Sequence, residues 1–382
     1  MPRTIYFDYN ATTPLDPAVR EVMLPFLGET WGNPSSVHHV GRRARALLDD
    51  ARDRAAKVLG CKPAEIIFTS GGTESNNLAV FGTARLLAPK GRHLITSAIE
   101  HHAVLSCFEY LEKNEKFEVS RLPVDSQGRV SVDDLKQAIR PDTILVSIMA
   151  ANNEIGTIQP VAELGGVCRA HGIPFHTDAV QWFGKEPFAT VGQFNADLVS
   201  LCAHKFHGPK GAGLLCCKSP LHPHPILFGG GHEQERRAGT ENLAGIIGLV
   251  EAMERFIAKP VFDRNHLEPL SRQLIDCLSK IPVVELVGSL ENRLVNTVGF
   301  VVPGTDSIML LGGLDLEGIC ASSGSACSSG SLEPSHVVSA LGKQDRANSL
   351  VRFSLGRKSS AEEVNLVCHL LPDIIQRAQP GK

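Results

Sequence analysis

The sequence predicts an α/β fold: a large domain built on a mainly parallel sheet with helices on both faces, then a smaller α+β domain. Three observations predict it. Short apolar runs recur between helical patterns over most of the first 260 residues, and that rhythm changes after Lys259-Pro260. A chain of 382 residues, 43% of them hydrophobic, exceeds one small core yet supplies a sizeable interior. Strands alternating with helices at this interval argue for parallel pairing through helical crossovers.

In chain order, the first strand follows from Ile66-Ile67-Phe68-Thr69, and glycines after it open a helix that runs to about Ala88. Strands are expected at His93–Thr96, Phe117–Val119, Thr143–Ile148, Ile173–His176 and Leu198–Leu201, with Gly213-Leu214-Leu215 also strand-like. Between them Ala103, Val104, Cys107, Phe108 and Leu111 repeat at helical spacing. Val132, Leu135, Ala138 and Ile139 do the same behind a Ser131 cap, with Asp134 three residues on. Beyond 260, a helix over about 266–280 precedes strands at 283–287 and 297–302. Two helices and a strand then lead to a last helix that Ser360 and Glu363 open as a capping box. Boundaries of 15–260 for the large domain, and 1–14 with 261–382 for the small one, follow once the resemblance below is included.

Charge narrows the function classes. With 38 Lys+Arg against 41 Asp+Glu the net is −3, too weak a field to recruit nucleic acid or acidic lipid. No apolar run approaches a membrane span, and Met1–Asp8 lacks the pattern of a secretory signal. The ten cysteines are scattered without a CxxC pair, which reads as reduced thiols in a cytoplasmic protein. No His/Cys/Asp/Glu cluster has zinc spacing, so no metal is expected. Small-molecule chemistry is the remaining class.

Four segments place polar or glycine residues where an apolar strand or a small-residue loop ends. Thr69 to Asn77, with Gly71-Gly72-Thr73, lets backbone N–H groups and a helix dipole converge on an anion, although such a turn also occurs as a plain connection. Asp178, after Phe175-His176-Thr177, is either a helix cap or a functional carboxylate. Lys205, between His204 and His207 and ahead of Gly208-Pro209, is poorly explained as a solvated charge; burial and neighbouring cations would make it an amine nucleophile. An anion cradle, a carboxylate for a pyridine nitrogen and a Schiff-base lysine are what pyridoxal phosphate requires. The fourth segment, Ala321 to Ser331, is a small-residue loop with Cys327 near its centre, which cannot pack a core and reads as a working thiol.

With those residues in place, the sequence resembles the NifS/IscS-type cysteine desulfurases, a branch of the class V aminotransferases of pyridoxal-phosphate fold type I. The likeness runs from Tyr6-Phe7-Asp8-Tyr9-Asn10-Ala11-Thr12-Thr13-Pro14 to Arg352–Arg357. It passes through Gly32-Asn33-Pro34-Ser35-Ser36, Glu100-His101, Asn152–Gly156, His204-Lys205, Gly229–Glu233, Ala238–Asn242 and Ser322–Pro334. The resemblance implies a seven-stranded type of sheet in the large domain. It implies that Lys205 carries the cofactor, Asp178 pairs with the pyridine nitrogen, Gln181 and Asn153 lie at the ring's phenolic oxygen, and His101 stacks on the ring and moves protons. Gly72, Thr73 and His204 would hold the phosphate. Thr240 would reach the phosphate of a neighbouring subunit in a homodimer. Asn33 and Arg352, with Asn153 close by, would hold the substrate carboxylate.

The implied reaction removes sulfur from L-cysteine, giving L-alanine and a persulfide on Cys327 that passes to a sulfur-acceptor or iron-sulfur scaffold protein. A selenocysteine lyase acting on L-selenocysteine is the nearest rival, and a non-catalytic scaffold for an acceptor is a third reading. One departure stands out: the family's Ser-x-His-Lys appears here as Cys202-Ala203-His204-Lys205, and a thiol is the weaker donor to a phosphate.

Overall fold

The computed structural model describes residues 4–324 and 334–379. Strand β1 (Ile5–Tyr6) is followed by helices α1 (Pro17–Met23) and α2 (His39–Leu59). Then come β2 (Ile66–Thr69), α3 (Gly72–Leu87), β3 (His93–Ser97), α4 (His102–Glu115), β4 (Glu118–Leu122), α5 (Val132–Ala138), β5 (Thr143–Ser147) and α6 (Val161–Ala170). The order continues with β6 (Phe175–Asp178), β7 (Leu198–Cys202), β8 (Gly213–Cys217) and α7 (Leu243–Phe256). The remainder holds α8 (Arg264–Leu278), β9 (Glu285–Val287), β10 (Thr297–Val301), α9 (Ser307–Leu316), β11 (Ile319–Cys320), α10 (His336–Ala340), β12 (Val351–Ser354) and α11 (Ala361–Ala378).

Seven strands form one sheet in the order β2-β8-β7-β6-β5-β3-β4. Only β8 runs against its neighbours, antiparallel to both β2 and β7; the other pairs are parallel. Apart from the partly exposed edge strand β4, the strands are short and buried on both faces because helices cover both. Ile66 and Phe68 point into one core with Ile95, Val146, Val199, Leu201 and Leu214. Ile67, Leu94, Leu145, Leu198 and Leu215 point into the other, against α3 and α4. The period of two thus places Cys216 in one core and Cys217 in the other, as buried packing thiols.

A separate core collects Ile5, Phe7 and Tyr9 from the N-terminal segment with residues 262–378. Around it lie the antiparallel sheet β12-β10-β9, the parallel pair β1-β11, and α8, α9 and α11. The expected strand at 283–287 begins only at Glu285. Val283 is exposed and the Val284 N–H closes a turn onto Ile281 O at 3.0 Å, so apolar composition alone did not make those two residues extended. The Ser131 and Ser360 caps form as expected, the latter as a complete capping box.

One loop departs from relaxed geometry. Glu233, Gln234 and Glu235 are consecutive non-glycine residues at φ 49°, 58° and 64°, a conformation costing about 1–2 kcal/mol per residue. A buried pair offsets it: Arg52 grips Glu233 through two bonds of 2.6 and 2.9 Å while the Phe68 N–H donates to the same carboxylate at 3.0 Å.

Candidate active site

The parallel pairing brings the carboxyl ends of β2, β3, β5, β6 and β7 to one edge of the sheet, where open α/β folds bind ligands. A cavity opens there. Its lining includes Gly72 and Thr73 after β2, His101 after β3, Asn153 after β5, Asp178 and Gln181 at the end of β6, and His204 and Lys205 after β7. Arg352 enters it from β12. Nine of the twelve residues expected from the sequence therefore meet in one place. Asn33 is exposed and its side chain accepts from the Ser35 N–H at 2.9 Å, and Thr240 is exposed; neither lines the cavity. Cys327 lies outside the described residues.

Each group is held by partners that local sequence did not announce. Asp178 is buried, and its oxygens accept from the Val180 N–H at 2.9 Å and from Asn76 Nδ2 at 2.6 Å. Burial pushes its carboxyl above the ordinary value; those two donors and the charge on Lys205 pull it back. Lys205 Nζ donates to the carbonyls of Asn10 at 2.6 Å and Ala11 at 2.9 Å. Arg352 is buried, with Nη2 on Asp8 at 2.7 Å and Nη1 on the carbonyls of Asn153 at 2.8 Å and Gly324 at 2.9 Å. With one partner fully buried, these three bonds fix the direction of the guanidinium within the packed chain.

His101 caps α4: its Nδ1 accepts from the Ala103 N–H at 3.0 Å. Burial, then the charges of Lys205, His102 and His336, push it down to about 4. The ring is neutral at pH 7, and with Nδ1 accepting, the hydrogen-bond pattern assigns its proton to Nε2. Other histidines are likewise depressed chiefly by burial: His176 and the half-buried His204 to about 3, His207 to about 4, and His93 in the same direction. A histidine whose folded value lies below its unfolded one contributes stability that is complete above about pH 6.5 and is lost as pH falls toward 4. The melting temperature should accordingly fall between pH 7 and pH 5, each such histidine adding up to about 1.4 kcal/mol per pH unit. A flat profile by thermal unfolding at pH 5, 6 and 7 would contradict neutral burial of this set.

These groups fit pyridoxal phosphate. Helix α3 starts at Gly72 with no side-chain cap, whereas α1, α4, α5 and α8 carry Asp16, His101, Ser131 and Asp263. The Gly72 N–H faces the Cys202 thiol, and the N–H groups that follow it have no side-chain cap and suit an anion at the cavity wall. A Cβ on Gly72 would stand 2.8 Å from Val180 Cγ2, so only glycine keeps that approach open. The two donors on Asp178, Val180 N and Asn76 Nδ2, are uncharged, and a protonated ring nitrogen is the cationic partner a buried carboxylate calls for.

Fold and site together define a pyridoxal-phosphate enzyme of fold type I. The model of the aminotransferase class-V family matches residues 5–367, and the chain belongs to that family. Among curated relatives, the cysteine desulfurase IscS of Dictyoglomus turgidum is 49% identical over 379 residues, 99% of this chain and 96% of its own. A solved NifS-like protein superposes with a TM-score of 0.90 at 37% identity, covering 98% of this chain and all of that one. SspA, solved in complex with cysteine, gives 0.80 at 36% identity over 94% of this chain and 100% of that one.

Cys202 lines the cavity beside Gly72 and Thr73. Burial pushes its thiol up, only partly offset by Lys205 and by the N–H groups of Gly72 and His204, so it is a neutral, weak donor. Cys202→Ser should tighten pyridoxal phosphate by up to about tenfold, the worth of one net hydrogen bond of about 0.5–1.5 kcal/mol. Titrating apo protein with the cofactor checks this; unchanged affinity would place the phosphate elsewhere.

Several working residues escaped sequence reasoning. Asn76 stands inside the glycine-turn segment but looked like an ordinary helix residue. Asp8 and Asn10 sit in the motif at Tyr6–Pro14 without a role that spacing reveals. Lys185, 2% exposed, had one available signal: a lysine amid Trp182, Phe183 and Phe188.

Proposed function

We infer that this chain is a cysteine desulfurase that takes sulfur from L-cysteine, leaves L-alanine, and carries the sulfur on Cys327 to an acceptor protein for iron-sulfur or other sulfur-cofactor assembly. Residues 15–260 form the cofactor-binding unit in this reading; 1–14 and 261–382 form the unit that supplies Arg352 and Cys327. One observation carries it: the chain on both sides of Cys327 is tied to the cavity wall. Gly324 O accepts from Arg352 Nη1, and His336 Nε2 bonds the carbonyl of Glu100, next to His101. Cys327 follows Gly324 by three positions, a span of at most about 11 Å.

Pyridoxal phosphate, when bound, supplies an electron sink next to the substrate's α-carbon. The protein does the rest. Arg352 takes the α-carboxylate on a fork already oriented by Asp8. Lys205 Nζ, held by two carbonyls, moves the α-proton. His101 Nε2 gives or takes the proton exchanged with the thiol. As the Cys327 thiolate attacks the substrate sulfur, an S–S bond forms and the C–S bond breaks. Its electron pair stays on the carbon side, where a proton completes the methyl group of alanine.

A homodimer belongs to the same reading. Trp31, Val37 and Phe228 are 74%, 87% and 83% exposed; Trp31 and Val37 flank Asn33 in the chain, and Phe228 opens the glycine-rich loop that leads to Thr240, so this apolar surface lies on the segments of the two site residues that do not reach the cavity. A second copy that covers this apolar surface and receives Thr240 accounts for both facts. Free thiols at the nine described cysteines suit a reducing compartment, and we place the protein in the cytoplasm. Among the described residues, no helix is long and apolar enough to cross a membrane.

The test is alanine release from L-cysteine and L-selenocysteine in parallel, with wild type and Cys327→Ala. Alanine from L-cysteine that stops in Cys327→Ala is expected. Release from L-selenocysteine alone would overturn the desulfurase in favour of the lyase, and no alanine from either would favour a scaffold.

A further inference from the structure

Lys185 is a second lysine beside the cavity, and no step of the reaction uses it. It is 2% exposed. Removing an ammonium from water costs several kcal/mol unless its hydrogens are taken up. Here neutral oxygens take them: Nζ donates to Asn10 Oδ1 at 2.7 Å and to Gln181 Oε1, and it stands 5.2 Å from the centre of the Phe262 ring. Burial, then Lys205 and Arg352, pull its pKa well below the ordinary value; Cys202 and Glu186 act in the opposite sense.

Those bonds decide which way an amide points. Two Nζ hydrogens, which the amine keeps whether or not burial strips the third, go to the two oxygens, and Gln181 accordingly turns its oxygen toward Lys185. The amide nitrogen is thereby sent to the other side, where one hydrogen goes to Asn10 O at 3.0 Å. The second is left for the cavity that Gln181 lines. Asn10 is locked in its turn. Its Oδ1 also accepts from Asn296 Nδ2 at 3.0 Å, and its Nδ2 donates to Asn153 O at 3.2 Å and Thr297 Oγ1 at 2.9 Å. A flip of either amide would set N–H against N–H.

We propose that Lys185 is a positioning residue: it makes Gln181 a donor, and never an acceptor, toward the phenolic oxygen of bound pyridoxal phosphate. Donation there stabilises the anionic oxygen and so holds down the proton affinity of the nitrogen that joins the cofactor to Lys205. This inference rests on the cofactor assignment made above.

The experiment loads wild type, Lys185→Met, Gln181→Leu and the double variant with pyridoxal phosphate and records the pH midpoint of the visible absorbance band beside the melting temperature. Lys185→Met should raise the midpoint by about one unit, tenfold in proton affinity. Gln181→Leu should raise it as well. The double variant should rise no further than Gln181→Leu, because the two residues act as one unit, and Lys185→Arg, which keeps the donors, should restore the wild-type midpoint. A folded, loaded Lys185→Met with the wild-type midpoint, or a double variant showing the sum of both shifts, overturns the proposal. Should Lys185→Met not fold, Lys185→Gln takes its place, and Gln181→Leu without a shift is overturning by itself. A wild type with no visible band refutes the cofactor assignment instead, which keeps the two failures apart.

Discussion

Lys205→Ala is expected to give a colourless protein that releases no measurable alanine from L-cysteine. In the proposed mechanism two losses coincide at one nitrogen: the covalent hold on the cofactor and the base that moves the α-proton. The base alone is worth about 10²–10⁴ in rate, and losing the covalent hold deepens the deficit. The fold should survive. Lys205 follows β7 in a short 3-10 turn whose backbone is held independently, with His204 O accepting from the Thr13 N–H at 3.0 Å and the Phe206 N–H bonded to Ala203 O at 3.1 Å. An unchanged melting temperature beside a lost visible band is the combination to look for. A variant that keeps the band assigns the cofactor to another amine.

Asp178→Asn should lower alanine formation by about 10²–10⁴, the scale on which a mispositioned or missing proton acts in catalysis, while leaving the melting temperature level or raised. The carboxylate is buried at an energetic cost, since burial is the largest influence on its pKa. An amide of the same shape removes that cost. Its new N–H₂ also has a ready acceptor: Asn76 Oδ1 is buried without a partner, and a turn of the Asn76 amide presents that oxygen where Nδ2 now donates to Asp178. Structure is thus preserved while, in the proposed reading, the ring nitrogen loses the charge that keeps it protonated. Separating rate from melting temperature distinguishes this from a packing defect, and a rate within threefold of wild type would remove Asp178 from the chemistry. A carboxylate that destabilises the apo fold yet sits where the cofactor needs it is the usual trade of stability for function.

How much of this was legible beforehand follows from where each signal resides. Ile66-Ile67-Phe68-Thr69 and its successors announce strands because a two-sided buried strand must be short and apolar. The Ser360 and Glu363 spacing announces a helix start because both partners of the capping box lie within four residues. Gly72, Asp178 and Lys205 could be singled out because each follows a strand directly, and a parallel sheet delivers all such ends to one edge. Asn33 and Thr240 behave differently: the single chain leaves both on its surface, and no local pattern could say so. Val283 and Val284, apolar but turned, mark the limit of composition as a guide to extension.

The amino-acid sequence by itself determined the alternation of elements, which depends on periodicity, and the family and its cofactor, which depend on residue types at strand ends and on the motifs along the chain. Only the tertiary structure decided how those residues are aimed. Arg352 takes its orientation from Asp8, 344 positions away, and Lys185 from Asn10, 175 positions away. Asp178 takes its own from Asn76, 102 positions away. Hydrogen bonds over such separations exist only after the sheet has closed and the N-terminal segment has packed with the C-terminal core. Direction within the site is therefore a property of the packed chain and is absent from any local stretch of it.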